Sequence, residues 1–170
     1  MSSNRSQTLA FLAPHRALAA LVLCALASGC AMQQVEPGAS RQEVVSRYGT
    51  PSRVVALANG TRMQYSRQPA GQSAVMVDLD ASGRVTSVRE MLNPAGFAAV
   101  VIGQFTREDT ERALGRPAMV DRVASWPGDI LTYRWRDSDQ DMFYWFYLDA
   151  NQVVQRTSQG MEFPIRPNDN

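Results

Sequence analysis

The sequence predicts an α+β protein of two tandem units, each a short helical segment packed on a four-stranded antiparallel meander sheet. Three observations predict this fold: a helix signature that occurs twice, strand-like segments that follow each copy, and turn motifs at matching positions. A unit of roughly sixty residues buries too little surface to be stable alone. We therefore expect the two units to pack together, or against something else.

The first 29 residues are predicted to be a secretory signal. Arg5 and Arg16 precede an apolar run, Ala17 to Ala27, which is too short to span a bilayer and is followed by small residues. No acidic side chain occurs before Glu36. The pattern indicates an exported chain.

The end of this signal, LASGC, resembles the lipobox of bacterial lipoproteins, with Ala27 where that motif usually has Leu. The resemblance implies cleavage before Cys30, lipid attachment to Cys30, and a lipidated tether at 30–36. Ala31, in place of the Asp that retains many lipoproteins in the inner membrane, favours the outer membrane. The alternative is ordinary cleavage that leaves a free thiol. Since nothing after Cys30 reaches eighteen apolar residues, we expect an anchored chain and not a spanning one.

Composition excludes several functional classes. Removing the signal removes His15 and Cys24, the only histidine and the only cysteine besides Cys30. His- and Cys-dependent nucleophilic catalysis, zinc sites and disulfides are therefore not expected in the mature chain. Loss of Arg5 and Arg16 leaves fifteen of the seventeen basic residues against sixteen acids, without a basic cluster. We predict no enzyme activity, cofactor, metal, nucleic acid or small-molecule substrate.

A complete helix is written twice, as GASRQEVVSRYGTP from Gly38 and as GQFTREDTERALGRP from Gly103. Ser40 and Thr106 are the predicted N-caps, and an acid three residues later completes a capping box. Each copy then ends in Gly followed two residues later by Pro, which is typical of a helix C-terminus.

Strand motifs follow both helices. MQYSR matches LTYRW, which aligns Tyr65 with Tyr133, and VMVDLDASGRV matches YWFYLDANQVV, which aligns Asp80 with Asp149. ANGT and WPGD are both predicted to form tight turns between strands. The paired aspartates are predicted to cap turns and not to form a catalytic dyad. The predicted boundaries are 37–92 for the first unit, 93–103 for a connector, 104–160 for the second unit and 161–170 for a C-terminal tail.

The segment DMFYWFYLDA, residues 141 to 150, makes both faces of one strand apolar. The core face matches apolar residues of the first copy and carries Tyr144, Phe146 and Leu148. The opposite face carries Phe143, Trp145 and Tyr147. The first copy has Ala74, Met76 and Asp78 at these opposite positions, and we predict that its back is polar.

Five side chains on this opposite face are the predicted partner-binding residues. If Tyr65 and Tyr133 point to the core, two arginines of the neighbouring strand share the outer face with the rings. Arginine beside Trp and Tyr is typical of a protein-recognition surface. The set is Phe143, Trp145, Tyr147, Arg134 and Arg136. The alternative is that this face is buried internally, against the first unit or the tail MEFPIRP.

The chain resembles the SmpA/OmlA (BamE-like) family of small outer-membrane lipoproteins. The resemblance rests on the lipobox at Cys30, the signature GASRQEVVSRYGTP, Tyr65 and the segment DLDASGRV, and the second copy matches more loosely. It implies a non-enzymatic, lipid-anchored accessory or scaffold at the periplasmic face of the outer membrane, with the β-barrel assembly machinery as a partner. Family members carry one unit. The tandem architecture is similar to the β-lactamase inhibitor protein, which implies the alternative of a binder or inhibitor of a periplasmic enzyme.

Overall fold

We obtained a computed structural model, which describes residues 35–163. The predicted signal peptide, the predicted lipid-attachment residue Cys30 and the tail beyond Phe163 lie outside the described residues. The described part contains two four-stranded antiparallel sheets, with strand orders β1-β2-β3-β4 and β5-β6-β7-β8, and three short helices. The predicted α+β fold of two units is confirmed. The elements are α1 (Arg41–Tyr48), β1 (Arg53–Leu57), β2 (Gly60–Ser66), β3 (Ala74–Asp80), β4 (Val85–Glu90), α2 (Pro94–Ala98), α3 (Arg107–Leu114), β5 (Met119–Asp121), β6 (Ile130–Asp137), β7 (Gln140–Leu148) and β8 (Val154–Met161).

Capping boxes start the two repeated helices, as predicted. At α1 the Ser40 hydroxyl accepts from the backbone N–H of Glu43 at 3.3 Å, and the Glu43 carboxylate accepts from the Ser40 backbone at 2.7 Å. Thr106 and Asp109 exchange the same two bonds at α3, at 3.2 and 3.1 Å. Both boxes satisfy backbone donors that have no partner within the helix.

The paired aspartates cap equivalent turns, as predicted. Asp80 accepts from the backbone N–H groups two and four residues later, at 2.8 and 3.0 Å. Asp149 accepts from the same two positions of its own turn, also at 2.8 and 3.0 Å. Each turn is followed by a register shift in the strand pairing, so the two units share local detail as well as strand order.

The layers of the molecule alternate between helix and sheet. Helix α1 covers one face of the first sheet, where Val44, Met63 and Val77 are fully buried. The other face of this sheet contributes Met76 to a second core, which also contains Leu114 of α3 and residues of the second sheet. The order is therefore α1, first sheet, α2 with α3, second sheet.

The back of the first unit, which the sequence predicts to be polar, is buried inside the molecule. Met76 is fully buried and Asp78 is 8% exposed, because the helix of the second unit packs on this face. The Gln64 amide donates to the carbonyl oxygens of Glu111 and Arg112 at 3.0 Å each, so it satisfies acceptors at the C-terminal end of α3. Gln64 can be buried here because another layer supplies its hydrogen-bond partners.

The prediction of two tight turns holds for the first unit only. A two-residue turn precedes Gly60, whereas residues 122–129 form an eight-residue loop in the second unit. The loop folds back because the Trp126 indole N–H donates to the carbonyl oxygen of Leu148 at 2.6 Å. The aligned glycines are nevertheless equivalent: a Cβ at Gly128 would lie 2.0 Å from the carbonyl oxygen of Leu148, and Gly60 is equally close to β3.

Residues of the predicted connector enter the second core. Phe97 of α2 is 2% exposed, stacks on Tyr144 with ring centroids 4.1 Å apart, and meets Trp135 edge to face at 5.4 Å. Asn93 caps this helix, and Pro94 occupies its first turn. The segment between the two repeated helices is therefore part of the packing that positions the second sheet.

Candidate protein-binding surface

Three rings of β7 lie on the face of the second sheet that points away from α2 and α3. We call Phe143, Trp145 and Tyr147 the ring surface. All three side chains are half-buried, whereas Phe146 and Leu148 on the other face are fully buried in the core. In the same order as the rings, their cross-strand neighbours are Arg134, Thr132 and Ile130 on β6, and Gly160, Ser158 and Arg156 on β8.

The Trp145 indole lies across β8 at a glycine. A Cβ at Gly160 would come within 3.0 and 3.1 Å of two indole carbons, so a side chain at this position would push the ring out of its place by a few tenths of an ångström. Phe143 flanks the indole, with ring centroids 5.8 Å apart and planes inclined by 40°. The rings of Phe143 and Trp145 form one apolar patch on the outer face of β7 and β8.

Tyr147 belongs to a second cluster, with Trp126 and Arg156. The Arg156 guanidinium lies 4.2 Å from the Tyr147 ring centroid and 5.6 Å from that of Trp126. The two rings meet edge to face at 5.3 Å. A hydrogen bond from Ser158 at 3.2 Å, together with the nearby Arg156 charge, lowers the pKa of the Tyr147 phenol. Neither Trp126 nor Arg156 was among the predicted site residues, and WPGD was predicted only to form a turn.

The guanidinium of Arg134 is engaged within the chain. It donates to the Glu162 carboxylate at 2.8 Å and to the carbonyl oxygens of Pro69 and Ala70 at 2.8 and 3.2 Å. The Glu162 hydrogen bond raises the pKa of Arg134. The Gln68 amide also bonds both backbone groups of Arg134, where the short β5 leaves β6 without a neighbouring strand. Arg134 thus ties a loop of the first unit to this sheet, and its role in partner binding stays a prediction.

Arg136 occupies the exposed end of the same face. Its Nη2 lies 2.9 Å from the Asp141 carboxylate, and their side chains are 57% and 40% exposed. The Arg136 hydrogen bond lowers the pKa of Asp141. The structure therefore places all five predicted residues on one face, with two arginines paired to carboxylates. The contacts to the first unit and to Glu162 lie at the Arg134 end and leave the ring surface half-buried.

Other chemistry is sparse in the part of the chain that the structure describes. Between Val35 and Phe163 no group of three or more His, Cys, Asp or Glu side chains could hold a metal ion. None of the helices there is long and apolar enough to cross a membrane. The arrangement on the outer face of the second sheet suits noncovalent contact: ring stacking, apolar burial and guanidinium hydrogen bonds.

Comparison with known proteins assigns the chain to no family. No family model matches it, and no curated protein sequence does. Among solved structures it is similar to a DUF4309 family protein, YjgB from Bacillus subtilis, with 18% sequence identity and a TM-score of 0.31 over 73% of this chain and 79% of that chain. A likeness at this level carries no argument about function.

Proposed function

We propose that this chain is a non-enzymatic outer-membrane lipoprotein that binds a protein partner through the ring surface. In this proposal it acts as an accessory or scaffold in outer-membrane protein assembly or envelope integrity. One observation carries the binding role: the outer face of the second sheet has three half-buried rings, while the equivalent face of the first sheet is buried. The SmpA/OmlA resemblance at Cys30 and at the repeated helix supports the cellular role.

Rings held on a sheet favour association. The strand backbone fixes Phe143 and Trp145, so few rotamers are lost when a partner covers them. Trp and Tyr are enriched among residues whose truncation costs the most binding energy at protein interfaces. Exposed apolar area at the two rings is removed from water on binding, at roughly 25 cal/mol per Å². The surface therefore supplies both the driving force and a preformed geometry.

The proposed anchor would hold the α1 end of the first unit near the bilayer. The tether between Cys30 and the helix cap at Ser40 reaches at most about 35 Å when fully extended. Labelling cells with a radioactive fatty acid tests the attachment: the wild-type chain should incorporate the label, and Cys30→Ser should not. Incorporation of the label by Cys30→Ser would show that the lipid is attached at another residue, and it would contradict the proposed anchor at Cys30.

Partner capture tests the binding role. The full-length chain is crosslinked in intact cells, extracted in mild detergent and purified, in parallel with Trp145→Ala and Ile102→Ala. Ile102 is 52% exposed and lies outside the ring surface, so Ile102→Ala controls for loss of an exposed apolar side chain. A scaffold should retain an outer-membrane complex that Trp145→Ala loses. Stoichiometric recovery of a soluble periplasmic enzyme would instead support the inhibitor alternative, and equal recovery by all three chains would contradict the proposal.

A further inference from the structure

We propose that the ring surface takes an extended protein segment in which a carboxylate stands two residues from an apolar side chain, with Arg156 receiving the carboxylate. The inference rests on the proposed function, because it names the chemistry of the partner for the same surface. Three observations carry it: which arginines of the face are paired with a carboxylate, the contact of Arg156 with the Tyr147 ring, and the spacing of the rings along β7.

Arg156 is the arginine of this face that has no carboxylate partner among residues 35–163. Arg134 is paired with Glu162, and Arg136 is paired with Asp141. Within residues 35–163, by contrast, no carboxylate lies within 4.0 Å of the Arg156 guanidinium, which contacts the side chains of Tyr147 and Trp126. A partner that brings a carboxylate to this point gains a charge-assisted hydrogen bond without breaking an existing ion pair.

Stacking on Tyr147 prepares Arg156 for this bond. The guanidinium lies over the ring face at 4.2 Å, and the side chain is exposed to solvent. A guanidinium held over a ring by a cation–π contact still presents N–H groups, and a carboxylate can accept two of them. The contact restricts the long side chain before the partner arrives, which lowers the entropy cost of the bond.

The spacing of the side chains along β7 determines the spacing of the partner residues that contact them. Trp145 and Tyr147 are two residues apart on β7, about 6.7 Å in an extended strand, and Arg156 is the cross-strand neighbour of Tyr147. A partner segment running along β7 presents its own side chains at the same two-residue interval. An apolar side chain over Trp145 therefore places the side chain two residues away beside Arg156.

Asp121 determines on which side of the sheet a carboxylate of the partner is favoured. It is exposed on β5 and occupies the same cross-strand row as Ile130, Tyr147 and Arg156. Three strand spacings separate it from Arg156, about 14 Å. Asp121 repels a carboxylate at its own end of the row, so an acidic side chain is favoured only at the β8 side.

An anionic lipid surface is a different class of partner and is less well matched. Membranes attract proteins through clusters of several basic residues, whereas Arg156 is the single unneutralised arginine among the face residues named above. A lipid surface also has no two-residue spacing to match the rows of the sheet.

The test is a selection from a random-peptide display library. The full-length chain in detergent is the bait, and Trp145→Ala is used for counter-selection. We expect enriched peptides to share Asp or Glu two residues from an apolar residue, and changing that acid to its amide should weaken binding about tenfold. Selection on Arg156→Glu should replace the acid with Lys or Arg. Enriched peptides without the acid, or an unchanged preference with Arg156→Glu, would overturn the inference while leaving the ring surface as a binding site.

Two controls separate the remaining outcomes. Arg84→Gln removes an exposed arginine from a turn of the first unit, and it should leave the selected peptides bound as tightly as before. Vesicles of phosphatidylcholine with and without phosphatidylglycerol should bind wild type and Arg156→Gln equally. A loss of phosphatidylglycerol preference with Arg156→Gln would overturn the inference in favour of lipid. Failure to enrich any Trp145-dependent peptide would contradict the proposed function itself.

Discussion

Two equivalent strands, β3 and β7, have opposite environments on one face. Met76 and Trp145 each stand three residues before the matching leucines Leu79 and Leu148, yet Met76 is fully buried and Trp145 is half-buried. The cause lies in the order of layers. The second unit supplies helices that cover the back of the first sheet, whereas among residues 35–163 no helix follows β8 to cover the second sheet. A repeated unit therefore exposes a face that its copy buries.

Phe146→Ala should have the largest effect on stability. The ring is fully buried and packs edge to face against Tyr133 at 5.8 Å and Phe97 at 6.2 Å. Truncation removes apolar burial and leaves a cavity, which should lower the free energy of unfolding by about 3 to 5 kcal/mol. Urea denaturation followed by circular dichroism measures the change. A loss below about 1 kcal/mol would show that this face of β7 is not the core.

Met76→Ala tests whether the two units share a core. Its side chain lies on the back of the first sheet, near Gly115 at the end of α3, and it belongs to the same cluster as Phe97 and Leu114. We expect a loss of about 3 kcal/mol in the free energy of unfolding, with a single transition for the whole described region. Val54→Ala, at a side chain that is 47% exposed on β1, is the control and should change little. Two separate transitions would contradict the shared core.

Local features of the fold were predictable, because their partners are close in sequence. Ser40 bonds Glu43 three residues away, and Asp80 bonds backbone groups within four residues of itself. Such short-range bonds require particular residue types at fixed spacings, and each of these patterns occurs in both units of the sequence. The repeat also predicted which face of β7 carries Phe146 and which carries Trp145.

Long-range features were not predictable from these patterns. The back of the first sheet was predicted to be polar, but its burial was not predicted, since nothing in the sequence near Gln64 indicates that it bonds the carbonyl of Glu111, 47 residues later. Trp126 bonds Leu148 across 22 residues and was missed for the same reason. Residue type predicts the polarity of a face, while burial depends on which layer packs against it.

Asp78→Asn compares how the two sheets treat the same strand position, which is Tyr147 in the second unit. Asp78 is nearly buried. Its carboxylate accepts a hydrogen bond from Arg62 Nε at 2.6 Å and another from Arg89 Nη2 at 2.9 Å. Burial raises the pKa of this carboxyl, but hydrogen bonds and attraction from the two arginines outweigh burial and leave its pKa below 3.8. The substitution leaves Arg62 without its counter-charge, and we expect a loss of about 1 to 3 kcal/mol at neutral pH.

The pH dependence of this loss follows from the sign of the shift. A carboxyl whose pKa is lower in the folded state contributes its stabilisation above the unfolded pKa and loses it as the pH falls through the folded value. Wild type should therefore lose more stability than Asp78→Asn between about pH 5 and about pH 2. Asp141→Asn, at an exposed pair, is the matched control and should alter the profile less. Parallel profiles for wild type and Asp78→Asn would show that the ion pair forms no better in the folded state.

Trp145→Ala should have the smallest effect on stability, although its side chain is the largest of those changed. The ring is half-buried and contacts Phe143 and the backbone at Gly160, so truncation leaves solvent in its place and not a closed cavity. We expect the free energy of unfolding to fall by less than about 1 kcal/mol, measured by urea denaturation.

Gly160→Ala sharpens the test, because the added Cβ would meet the indole at 3.0 Å. It should destabilise wild type more than the Trp145→Ala chain. A loss above about 3 kcal/mol with Trp145→Ala, or an equal effect of Gly160→Ala in both chains, would mean that the indole is packed elsewhere and that β7 resembles β3 on both faces.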